Sequence, residues 1–164
     1  MPKEKWERQP AIETIANELI AKHHLHLARA SVIVLGRPKA ATKGGKLVLG
    51  TLKAASEKER ALFEAATDGE VPPDYVMVIG MNMWAVLRPS EQVALVDHEL
   101  CHAAGQHDET GKWMTVGHDV EEFGEVLMRH GAWLPELERF VAVAKKVKLP
   151  QMSFSETSPE YERA

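Results

Sequence analysis

The five residues His98-Glu99-Leu100-Cys101-His102 constrain this 164-residue chain more than any other stretch. Residues four apart on an α-helix stack on one face, so a helix here brings two imidazoles over a single point. The approach supports a helix. Pro89-Ser90-Glu91 reads as a helix start, and Val93, Ala94, Leu95, Val96, Leu100 and Cys101 read as its inward face, with an expected end near Gly105. Paired imidazoles at this spacing are donors for a divalent cation. Glu99 lies about 100° around the axis from His98, beside the cation rather than in its ligand set. There a carboxylate can take a proton from a metal-bound water. Zinc suits two neutral imidazoles, one further N or O donor and a water. A chance pattern of two surface histidines is the competing reading, and the strand before the helix and the glycine after it argue against chance.

A catalytic zinc needs a third protein ligand, and several residues downstream qualify. His118 follows Gly117 at the start of an expected helix; Glu121 and Glu122 lie on the same stretch; Asp108 is in register with Gly105 as a third-ligand position, with His107 one residue off. Imidazole is a better zinc donor than a lone carboxylate, which favours His118.

The rest of the chain reads as one α+β domain over residues 1–150, with a polar tail over 151–164. A helix is expected from Pro10 to about residue 28, and a buried strand over 31–35, closed by Gly36 and Pro38. A basic turn over 39–46 leads to a strand at 47–49, paired with the first as a hairpin. Ser56 is the expected N-cap of a helix over 56–66. After the Asp68-Gly69 and Pro72-Pro73 breaks, residues 75–79 form a strand with no polar face, as expected of burial on both sides. A polar connection spans 106–117. Helices are expected from about 118 to 130, ending at Arg129-His130-Gly131, and from Pro135 to about 148.

Composition narrows the partners. A net charge of -4 gives no general attraction to nucleic acid or anionic membrane. Lys39, Lys43, Lys46 and Lys53 make a local basic patch that could touch DNA, although a solvated loop is the simpler reading. The single cysteine, Cys101, excludes an internal disulfide and reads as a small buried side chain. The opening residues lack the apolar run of a signal peptide, and no stretch reaches membrane-span length, so the expected address is cytoplasm. His23, His24 and His26 read as a solvated helix end rather than a second metal site. Trp84, Trp113 and Trp133 read as packing residues, and Asp97 and Asp119, each beside a proposed ligand, as candidate orienting acceptors.

Residues 90–133, with Ser90-Glu91-Gln92, His98 to Ala103, Gly117-His118-Asp119-Val120-Glu121-Glu122-Phe123-Gly124 and Arg129 to Trp133, resemble the zincin-like metallopeptidases of phages and prophages. More distantly they resemble the SprT/Spartan group of zinc proteases. The resemblance implies a minimal zincin-like domain: a small sheet, an active-site helix carrying the pattern and a second helix bearing a ligand. It implies His98, His102 and His118 as metal ligands, Glu99 as the base and Phe123 in the core; the expected partner of such a zinc peptidase is a peptide or protein substrate. By the same likeness, residues 75–79 would form the sheet edge that receives an extended peptide, although a strand without a polar face fits a covered position equally. Two features depart from the SprT pattern: no cysteine-rich ribbon follows, and the spacing from His118 to Phe123 is one residue longer. The alternative to an enzyme is a zinc-stabilised binding module, closed by a fourth ligand such as His107 or Asp108.

Overall fold

Two nearly all-apolar segments have to be buried in this chain, and the first half of the fold is arranged around them. The computed structural model describes residues 5–147, so the tail expected over 151–164 lies outside the described residues. The chain separates into two compact units, one reaching Val116 and one beginning at Gly117.

In the first unit a short strand β1 (Glu7–Arg8) leads into α1 (Pro10–His23), where Pro10 at the first turn needs no amide partner. Ile12, Ala16, Leu19 and Ile20 recur at helical spacing and are the buried face of α1. A single 3-10 turn, Leu25–Leu27, follows, and then β2 (Val32–Arg37), β3 (Ala41–Lys43), β4 (Lys46–Val48) and β5 (Gly50–Ala54). α2 (Glu57–Ala66) starts at Ser56, whose hydroxyl and the Glu59 carboxylate satisfy each other's amides in a capping box. β6 (Tyr75–Gly80), α3 (Met81–Trp84) and α4 (Pro89–Cys101) follow, then β7 (Ala103–Gln106) and β8 (Trp113–Thr115).

The main sheet has the order β1-β2-β6-β5. β2 and β6 run parallel with Val32 opposite Tyr75, and β5 runs antiparallel to β6 with Gly50 opposite Ile79. β6 is therefore an inner strand, which explains its unbroken apolar sequence. The covered position is correct for residues 75–79, and the sheet edge on this side is β5. The hairpin expected between 31–35 and 47–49 does not form. β4 pairs with β3 in a separate two-stranded ribbon, and β2 instead takes β1 and β6 as neighbours.

α4 packs against α1 and β5. Val96 and Leu100 of α4 join Ile12, Ala16, Val34, Tyr75, Met77 and Ile79 in the core. Its inward face is narrower than expected: Val93, Ala94 and Cys101 are exposed. The helix also stops earlier, because Gly105, at φ 90°, serves a bulge in β7 rather than a helix cap. The buried Tyr75 hydroxyl holds that turn. It accepts from the Gly105 amide at 3.1 Å and donates to the Met114 carbonyl at 2.7 Å. Trp113 packs edge-on against the Tyr75 ring.

In the second unit the helices are α5 (Gly124–His130) and α6 (Pro135–Lys146). α5 ends in Arg129-His130 and Gly131, as the sequence predicts, with Gly131 at φ 70°. Its start is six residues later than expected, and residues 118–123 are not helical. Glu122 supplies a reason: its carboxylate accepts from the Phe123 amide at 2.8 Å and from Trp133 Nε1 at 2.9 Å. Such local bonds compete with helix propagation. Phe123, expected in the core, is 78% exposed. Among the described residues no helix is long and apolar enough to cross a membrane.

Candidate metal centre

α4 delivers the central residues as the sequence requires. His98 and Glu99 lie in its last turn and His102 is its C-cap, at φ -72° and ψ -19°, so the helical stacking of the two imidazoles persists to the end. The rings of His98 and His102 have centroids 5.3 Å apart and meet edge to face. Their ligand atoms lie within 4.8 Å of one another, close enough for one ion to reach both.

The chemistry of His102 is fixed by a neighbour absent from the sequence pattern. Its Nδ1 stands 2.8 Å from the carbonyl oxygen of Val116. A carbonyl only accepts, so Nδ1 carries the hydrogen and the neutral ring keeps its Nε2 lone pair for a metal. This is the usual outer support of a metal-binding histidine. The same segment is tied down twice, because the Val116 amide donates to the His102 carbonyl at 2.9 Å. The ring orientation is thus built before any ion arrives. The donor set fits a zinc-type cation.

Glu99 is 4% exposed, a rare condition for a carboxylate. Burial pushes its carboxyl above the usual range, and His102 when protonated acts in the opposite sense. Its neighbour is Gly50, the first residue of edge strand β5. A β-carbon there would stand 2.9 Å from Glu99 Oε1 and 3.0 Å from its Cγ. A glycine inside a strand often marks such a close approach, and this signal was available in the sequence.

Most of the other candidates fall elsewhere. Asp97 does not orient a neighbouring ligand; its Oδ1 pairs with His24 Nε2 at 2.6 Å. His24 is itself 6% exposed and so is not part of a solvated helix end, whereas His26 is exposed and donates to the Ala103 carbonyl at 2.9 Å. His107 Nδ1 accepts from the amides of Glu109 and Thr110, which makes it a turn residue. Asp108 is exposed on that same turn. Glu122 is occupied by Phe123 and Trp133. His118 precedes α5 on an irregular segment, which corrects the expectation of a ligand at a helix start. Tyr75, through the bonds already described, is a structural residue of the β7–β8 turn. In the basic patch, Lys53 forms an ion pair with Glu59.

Comparison with known proteins adds one finding. The family model described as "Putative phage metallopeptidase" matches residues 4–145. No curated protein and no solved structure matches the chain.

Proposed function

Since the chain belongs to this phage metallopeptidase family, we propose that it is a zinc-dependent peptidase with His98 and His102 as ligands and Glu99 as general base. The observation that carries the proposal is the combination on one helix end. Two imidazoles converge, one oriented by Val116 through its Nδ1, and beside them a buried carboxylate lies against Gly50 of the sheet edge.

His118 is the proposed third ligand. It follows Val116 by two residues, a reach of at most about 7 Å from a residue already bonded to His102. Zinc held by these residues would supply Lewis acidity and lower the pKa of a bound water towards about 7. Glu99 accepts the proton of the attacking water and returns it to the departing amine. Its raised proton affinity suits that exchange, because a base works best with a pKa near the working pH. β5 is the edge strand of the main sheet beyond β6, and its first residue lies against Glu99. We assign it as the strand to which an extended peptide adds. Residues 75–79, for which the sequence left an edge and a covered position equally open, are the covered strand.

The test measures zinc content and cleavage of an unfolded protein substrate by the wild type, Glu99→Gln and His118→Ala. Cleavage by the wild type that is lost in Glu99→Gln with zinc retained supports the peptidase reading. Tightly held zinc without cleavage in any form favours the zinc-stabilised binding module. Full zinc retention by His118→Ala rejects that residue as a ligand.

A further inference from the structure

We infer that the fold carries a second divalent-cation site, formed by His24, Asp97 and Cys101 and separate from the His98/His102 pair. The helix itself makes this geometry available. Asp97 and Cys101 repeat the four-residue spacing of His98 and His102 one position earlier, and so lie about 100° further round α4. α1 ends at His23, and its C-cap, His24, departs from helical geometry at φ -125° and ψ 53° where α1 packs on α4. One ligand atom each from His24, Asp97 and Cys101 lies within 4.8 Å of the others.

The three groups differ in exposure in a way that fits an ion entering from solvent. His24 is buried at 6% exposure, the Asp97 side chain is 42% exposed, and Cys101 is exposed. His24 and Asp97 already meet through Nε2 and Oδ1, and Cys101 brings a third donor atom to them. Cys101 is exposed, outside the core into which its sequence placed it.

An imidazole, a carboxylate and a thiolate form a mixed N, O and S set. It selects zinc, cobalt or cadmium over magnesium and calcium, which prefer oxygen alone. With a water as fourth donor the site is a four-coordinate zinc-type centre. Binding releases the thiol proton to solvent, while the carboxylate enters ionised and the imidazole neutral. The inference does not depend on peptidase activity.

The chain has one cysteine, so cobalt(II)–thiolate charge-transfer absorption in the near ultraviolet reports on this site alone. The full chain, reduced and freed of metal, is titrated with cobalt(II). Two equivalents should bind, with the thiolate band growing to one equivalent. Cys101→Ala should lose the band and one equivalent, and Asp97→Asn should weaken the band's titration by at least about tenfold. The double variant His98→Ala/His102→Ala should keep the band. Absence of the band in the wild type overturns the site, as does an unchanged titration in Asp97→Asn. Loss of the band in the double variant assigns the thiol to the first pair and overturns it equally.

Discussion

Gly50 and Glu99 approach so closely that a β-carbon on the glycine would stand 2.9 Å from the carboxylate oxygen. The relationship joins the edge strand of the sheet to the buried acid of α4, and so sets where the carboxylate can point. It also contributes to the burial of a carboxylate that is only 4% exposed.

Gly50→Ala is therefore expected to displace Glu99. Peptide cleavage should fall by about 10²-fold, the effect of a small misplacement at a reacting group, with zinc content unchanged. Overpacking should cost about 1–2 kcal/mol in urea denaturation. In a Glu99→Ala background that cost should disappear, since the contact is gone. An equal cost in both backgrounds means that the strand, and not the carboxylate, resists the methyl group.

Glu99→Gln separates function from stability. Loss of the base should reduce cleavage by about 10²–10⁴-fold. The folded carboxyl has a higher proton affinity than the unfolded one, so its ionisation at neutral pH opposes folding. The metal-free variant should consequently melt at the same temperature as the wild type or above it. A lower melting temperature means that the carboxylate makes a stabilising bond.

Tyr75→Phe tests the support beneath the centre. Removing the hydroxyl leaves the Gly105 amide and the Met114 carbonyl without their partner. The cost should be about 1–3 kcal/mol in urea denaturation. Because β8 leads directly to Val116, the partner of His102, zinc affinity should also fall. Unaltered affinity alongside the stability loss shows that the turn does not orient the ligand.

Glu59 gives a pH dependence away from the centre. The Lys53 ammonium, and then the amide of Ser56, lower its carboxyl from 4.5 to about 2. A folded pKa below the unfolded value means that the stabilisation is present above about 4.5 and is lost as pH falls towards about 2. Both side chains are more than a third exposed, so the effect should be below about 1 kcal/mol. The stability difference between wild type and Glu59→Gln, measured by urea denaturation, should shrink over that interval. A constant difference rules out the carboxylate as its source.

What the sequence made legible was local. Ser56 and Glu59 announced α2 because a capping box is contained in four residues. The apolar run from Tyr75 announced a buried strand, and the spacing of His98 and His102 announced their stacking on one helix end. Relations between distant segments were not legible. The parallel pairing of Val32 with Tyr75 depends on a crossover that no local signal encodes, so β2 was given the wrong neighbour. Gly105 carries the same signal as a helix cap and a β-bulge, and Tyr75, thirty residues away, decides between them. The Glu122 carboxylate displaced the expected helix start, because its side-chain bonds compete with backbone pairing. The pairing of His24 with Asp97 spans two helices and could not be seen from either.

Diffraction from zinc-loaded crystals, collected on both sides of the zinc absorption edge, tests the metal assignment most directly. An anomalous peak about 2.0–2.1 Å from a ring nitrogen of both His98 and His102, with Glu99 beyond bonding distance, is the expected result. A peak ligated by Glu99 itself, or no peak between the two rings in zinc-saturated protein, contradicts it.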